Sequence, residues 1–541
     1  MANNFKRVID RQMWVGVTPS VAAHAAGMGI ASDLRNDLSR NPFVYQLASN
    51  TALYRFGIVQ KAWNLVISPA LAGTFGAGAG AVFAPSLGLI GTIGAGSTTK
   101  KIVTSAMTTG GSAMSAVGMN TFANRGGSGD YGFRIRVISV STGKIEERWI
   151  VGNSASATPV IELNSALSFT PASGDTIEII GGRVFMLGAG TLASGSWKSF
   201  ETASNTLATR TQTNLPATIG TDFAAIALDE QYVPHNHIPG EGLIVGVGSY
   251  DAGSKRCLIA TAAAAGSITG QASGGDAVVA SNEYRNFQIR IVEDTVNPTA
   301  VGQRRIIASH TAGSSPVYTL GANWAVTPSA NAKFVIENPN LILLQTSASA
   351  QLYVYNYGTA TINNGTGSIA ADAWSTAYFA APANAHGAGV TLFPSYGIQP
   401  DDERYARHSF LYRFRGASTS LDVFDIAGAA TGAWTAGIAY DGSGMATPNT
   451  GSSGKYAPFD NDGKFGYMNI YVASALNQIY RFDVKNRVLS SFTPTDWVQS
   501  GTAATGERVA TYCAIDGTDK YTVVLLLTHL SNIAFEMIVQ T

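Results

Sequence analysis

The sequence predicts an all-β fold made of a repeated strand hairpin, interrupted twice by a second β-module. Three observations carry this. Short apolar runs rich in Val, Ile, Tyr and Phe alternate with Gly, Ser, Asn and Asp clusters. A hairpin unit recurs along the chain. A different block recurs between the hairpins, with its two copies 157 residues apart over most of their length.

Composition sets the frame. A chain of 541 residues exceeds one ordinary core, so two or more domains are expected. Hydrophobic residues make up 45%, enough for a large core. Charged residues are only 13%, about half the usual share of roughly 25%. Lys+Arg and Asp+Glu balance at 35 each, so net charge draws the chain to neither nucleic acid nor membrane. A surface this poor in charge suits burial in an assembly. Cys257 and Cys513 form neither a disulfide framework nor a zinc site and are read as buried thiols. Met1–Arg7 leads into no apolar run, which predicts synthesis in a cytoplasm without a signal peptide.

The elements follow in chain order. Residues 1–42 read as an N-terminal arm, with a short helix near Val21–Leu38 that Ser20 caps. From Ala62 to Thr99 no residue is charged, but recurring Gly, Pro69 and Pro85 argue for small strands in a crowded interior rather than a spanning helix. The clearest hairpins are Phe43–Leu47 with Leu53–Ile58, Val184–Leu187 with Trp197–Glu201, and Leu341–Leu344 with Leu352–Asn356. Two more are Phe410–Phe414 with Leu421–Ile426, and Met468–Val472 with Ile479–Val484. Weaker copies are Leu243–Val247 with Cys257–Ala260, and Val523–Leu527 with Ile533–Val539. Within them an aromatic precedes a large apolar residue by seven: Phe56/Trp63, Phe200/Leu207, Tyr355/Ile362 and Phe482/Leu489. Seven residues finish one strand, turn and place two side chains face to face across an antiparallel pair. Phe424 departs from the rule, with Trp434 three positions late, which predicts a longer turn there.

Leu53-Tyr-Arg-Phe-Gly-Ile and Tyr480-Arg-Phe-Asp-Val resemble the strand pairs of kelch and galactose-oxidase-type propeller blades. Most of the hairpins lack the Gly-Gly pair usual in kelch blades. The resemblance implies a β-propeller of six or seven blades with about four strands each. The second repeat aligns Phe133–Ile138 with Phe287–Val292, Arg148–Val151 with Arg305–Ala308, Pro159–Leu163 with Pro316–Leu320, and Thr170-Pro171 with Thr327-Pro328. Each copy reads as a small barrel or sandwich. The expected map is therefore a discontinuous propeller at 43–99, 183–265 and 340–541, with inserted modules at 100–182 and 266–339.

A propeller with inserted β-domains resembles, in architecture, the nozzle protein of short phage tails. That implies a structural virion subunit at the tail or head–tail junction, in a homo-oligomeric ring with six-fold order. Other virion proteins (adaptor, portal or fibre), DNA in a channel and the host surface would be its contacts. A carbohydrate- or receptor-binding propeller and a capsid decoration protein are the alternatives.

Candidates for chemistry are weighed singly. His235-Asn-His237 offers two metal ligands but sits between prolines with no third, and reads as a polar loop. Asp460-Asn-Asp-Gly463 begins a calcium-loop rhythm, but position 471 is Tyr where the closing Glu belongs, so a turn is expected. Asp516-Gly-Thr-Asp519 reads as a turn too, and the Asn364-Gly-Thr366 sequon as incidental. Arg404, Arg407, Arg413 and Arg415, following Asp401, Asp402 and Glu403, read as an ion-paired surface or subunit interface. Trp63, Trp149, Trp197, Trp324, Trp374, Trp434 and Trp497 read as blade core rather than a sugar platform. No catalytic, cofactor-binding or metal residue is assigned, and the expectation is a non-enzyme.

Overall fold

The structure is a computed structural model. It leaves undescribed residues 1–13, 18–28, 33–42, 68–74, 124–131, 229–257, 271–278, 396–409, 458–464, 492–508 and 528–533, with shorter breaks elsewhere. Among the described residues the regular elements are strands, apart from a 3-10 turn at Pro298–Ala300. None forms a helix long and apolar enough to cross a membrane.

The strands build a propeller-like arrangement with two closed barrels. Five antiparallel sheets have the four-stranded form of a blade. Sheet A runs Gly29–Ser32, Phe43–Ala48, Ala52–Gly57, Ala62–Ile67. Sheet B runs Gly80–Ala84, Arg183–Leu187, Trp197–Glu201, Thr206–Thr209. Sheet C runs Ala224–Ala227, Leu341–Gln345, Leu352–Asn356, Ala373–Ser375. Sheet D runs Gly387–Pro394, Phe410–Gly416, Leu421–Asp425, Ala433–Ile438. Sheet E joins Val509–Asp516, Asp519–Leu527 and Ala534–Val539 to Trp14–Val17, so chain start and chain end share one sheet. The Phe465–Val472/Leu476–Asp483 hairpin lies instead in a five-stranded sheet, in which Val488–Ser491 also pairs in parallel with the short edge strand Asp441–Gly442.

Five such sheets are fewer than the six or seven blades expected, because not every hairpin becomes one. Leu243–Val247 lies outside the described residues, and Leu258–Ala264, which takes in most of its expected partner Cys257–Ala260, belongs to a barrel. The helix expected at Val21–Leu38 is also overturned where it is described, since Gly29–Ser32 is a buried strand. A Cβ on Gly29 would stand 2.6 Å from the carbonyl carbon of Gly80, so the glycine lets the inner strands of sheets A and B touch.

The core sits between facing sheets. Arg183–Leu187 is buried at every position, and its alternate side chains serve two interfaces. Val184 and Met186 pack with Phe43, Tyr45 and Leu47 of sheet A. Phe185 and Leu187 pack with Tyr355 and Trp374 of sheet C.

Each barrel has six strands in one order. Around the first run Leu89–Ile93, Lys101–Thr109, Val160–Leu163, Ile145–Asn153, Arg134–Ile138 and Thr176–Ile180, which closes on Leu89–Ile93. Around the second run Leu258–Ala264, Ser267–Gly270, Val317–Leu320, Arg304–His310, Gln288–Glu293 and Lys333–Glu337, which closes on Leu258–Ala264. The barrels also leave their sheets at the same place, between the first and second strands of sheet B and of sheet C. Each barrel starts one strand before the boundary expected from sequence (residues 100 and 266). LIGTI is short and broken by Gly91, and LIATAAA is mostly alanine, so each gives little signal of its own.

Candidate site at the junction of barrels and sheets

Equivalent side chains fasten both barrels. Arg148 donates through Nε and Nη2 to the Ala166 carbonyl, and Arg305 through Nε to the Asn323 carbonyl, at the same spacing. Glu146 accepts from the Ser168 amide, and Gln303 from the amides of Ala325 and Val326. These bonds tie the Thr-Pro loop down in each copy.

Charge gathers where the barrels meet. Arg136 lies opposite both Glu147 and Glu178 in register, and its Nη atoms are 2.9 Å from each. Arg134 pairs with Glu147 as well. In the second barrel Arg290 lies opposite Arg304 and Val335, and its carboxylate is Glu337, 3.1 Å away. Arg304 shares Glu337 at 3.4 Å. Burial pushes the Glu178 carboxyl up, but Arg136, Arg304 and Arg290 together hold it below the ordinary range, so guanidiniums of the second barrel act on a carboxylate of the first. Ile145 of the first barrel packs with Val292 and Val335 of the second beside this network.

Each barrel also meets the propeller-like body at a cavity. One of about 330 Å³ lies between the second barrel and the loop that follows Leu352–Asn356 of sheet C. Gln288, Arg304 and Ile306 line its barrel side, and Asn340, Asn356 and Ile362 its sheet side. The other, about 260 Å³, lies between Met119–Thr121 and Phe133 of the first barrel and Thr202–Asn205, with Phe43, Tyr45 and Arg55 of sheet A.

The residues singled out from sequence are not brought together. His235, His237, Cys257, Asp460, Asp462, Gly463, Arg404, Arg407, Asp401, Asp402, Glu403 and Trp497 lie outside the described residues. Asp516 and Asp519 stand opposite each other in register at the ends of two antiparallel strands. Asn364 is 1% exposed; its Oδ1 accepts from Thr366 and Gly367, while its Nδ2 donates to the carbonyls of Tyr378 and Ala430. Arg413 is no surface residue. It is wholly buried, paired with Asp422 and bonded to Gln345 of sheet C at 2.8 Å, because its strand carries it into the gap between sheets C and D. Arg415 pairs with the same Asp422 at 2.6 Å.

Trp63, Trp374 and Trp434 stand opposite Phe56, Tyr355 and Phe424 in the sheets, with ring centroids 5.0–5.1 Å apart. Trp197 is buried against Tyr355 and Trp374. Trp149 and Trp324 belong to barrels rather than blade core, each beside an arginine, Arg134 and Arg305. Sequence reasoning missed the Arg136 and Arg290 networks. Phe-x-Ile-Arg in both repeats was the available signal, an arginine fixed at one place in an apolar strand.

Fold and site define an all-β, propeller-like protein with two copies of one inserted barrel. No protein-family model matches the chain, and no curated protein matches it. Among solved structures it is similar to Saccharomyces cerevisiae Sqt1, at 8% identity and TM-score 0.27, over 97% of this chain and 98% of that one. It is also similar to the tricorn protease, at 10% identity and TM-score 0.17, over 95% of this chain and 46% of that one. Neither likeness carries an argument at these TM-scores, and the assignment rests on the strand pairing.

Proposed function

We propose that the chain is a non-catalytic structural subunit of a tailed-phage virion, a tail-nozzle or head–tail ring component that shapes the DNA exit path. The observation that carries this is the paired barrels. Two copies of one module leave neighbouring sheets at the same position, and each is fixed to its partner by apolar packing and shared charge. Such a body holds a shape and presents a rigid face to neighbours. A heterologous contact between identical subunits then closes by rotation into a ring, and the charge-poor surface is covered there.

The reading takes the five-stranded sheet as a sixth blade. In support, its strand Ser453–Ala457 touches Gly387–Pro394 on one side and Val509–Asp516 on the other, and the latter strand touches Gly29–Ser32. Particle mass in solution, with electron micrographs, tests the proposal. Closed rings, six-fold in order, are expected. A stable monomer that turns over a sugar would sink it.

A further inference from the structure

We propose that the cavity between the second barrel and sheet C binds an acidic sugar residue, a hydroxyl-rich ring bearing a carboxylate. This goes beyond the structural role and does not depend on it. At about 330 Å³ the cavity falls in the range of small-molecule sites, roughly 300–1,000 Å³.

Its chemistry is specific. Arg304 supplies the cation. Its Nε donates to Glu337 at a long 3.4 Å, and its side chain keeps 24% exposure at the cavity, so the outer edge of the guanidinium faces the space. Behind it the guanidiniums of Arg134, Arg136, Arg290 and Arg304 lie with the carboxylates of Glu147, Glu178 and Glu337. Burial pulls the Arg304 pKa down, the sign of a cation short of solvent. A carboxylate meeting that edge two-pronged makes a charge-assisted pair with Arg304.

The rest of the lining favours a sugar over a bare phosphate. Gln288 commits its amide nitrogen to Glu337 and Asn340, which leaves its carbonyl oxygen to accept from a hydroxyl. An amide oxygen repels a phosphate oxygen but accepts from a sugar O–H. Ile306 and Ile362 give the C–H face of a ring an apolar wall. Thr359 and Thr361 stand exposed in the loop that borders the cavity, where further hydroxyls would reach.

The test titrates the full chain with galacturonate, glucuronate, N-acetylneuraminate, galactose and inorganic phosphate, read by ligand-observed NMR. At least one acidic sugar should bind, with galactose weaker by about ten-fold or more. Arg304→Gln should cost a similar factor. Should Arg304→Gln unfold the chain, Ile362→Trp, at a half-buried loop position, fills the cavity from the sheet side. It should abolish binding without lowering Tm. No binding by any acidic sugar, binding indifferent to both substitutions, or phosphate binding as tightly as the sugars would overturn the proposal.

Discussion

The first barrel surrounds its central Arg136 with two carboxylates, Glu147 and Glu178; the second gives the equivalent Arg290 one, Glu337. Register shows how the copies diverged. Glu147 corresponds to Arg304, Glu178 to Val335, Ile180 to Glu337 and Arg134 to Gln288. One carboxylate is lost where Arg304 replaces Glu147, and the other sits two residues further along the equivalent strand, while the central arginine, the carbonyl-binding Arg148/Arg305 and the loop-tying Glu146/Gln303 stay in place. Shape is therefore held by groups that bind the backbone, and charge is free to vary where the copies face each other. That variation makes the faces complementary: surplus guanidinium on the second barrel acts on Glu178 of the first. The same substitutions open the cavity beside the second barrel, where Ile306 stands in place of the larger Trp149.

The comparison breaks most sharply at the central arginines. Arg136→Met takes from buried Glu178 its direct ion-pair partner, with Arg134 still on Glu147, and should cost about 3–5 kcal/mol, more than Arg290→Met, after which Arg304 still pairs with Glu337. Urea unfolding of both variants checks this, and equal losses would contradict the difference drawn between the copies. Next is a transplant. Glu147→Arg alone places a third guanidinium beside Arg134 and Arg136 and should cost about 3 kcal/mol. Adding Glu178→Val, Ile180→Glu and Arg134→Gln installs the second barrel's arrangement and should recover most of that loss.

A buried site outside the barrels gives a pH test of similar size. His386 is 3% exposed, and burial lowers its pKa to about 4, although its Nδ1 lies 2.8 Å from the Gly387 carbonyl. A depressed folded-state pKa gives stability that is present above about 6.5 and lost as pH falls through about 4. The loss should approach 3 kcal/mol. Thermal melts of His386→Gln should lack that part of the acid loss. Smallest are the loop ties: Glu146→Ala and Gln303→Ala should each cost about 1–2 kcal/mol, with protection from hydrogen exchange falling in the Thr170-Pro171 and Thr327-Pro328 loops respectively.

Much of the fold was legible because strand pairing follows local spacing. Phe56/Trp63, Phe200/Leu207 and Phe482/Leu489 stand opposite each other as the seven-residue rule predicts. Phe424 meets Trp434 across the longer turn its departure implied. Tyr355 breaks the rule: a small hairpin, Ile362–Asn363 with Ser368–Ile369, occupies the turn, and Trp374 takes the expected place of Ile362. The repeat spacing exposed both barrels but not their first strands, one short and interrupted by Gly91, the other mostly alanine. The junction was not legible at all. Arg136 and Glu178 are 42 residues apart, and Arg304 reaches the network only because neighbouring sheets bring two barrels side by side.

Docking of the two copies is the central claim, and a double-mutant cycle on Glu178→Gln and Arg304→Gln measures it directly. Chemical denaturation of the wild type, both single variants and the double variant should give a coupling energy of at least about 0.5 kcal/mol, shrinking as salt is added. Losses that simply add, with no coupling at low salt, would mean that the barrels do not meet through this charge.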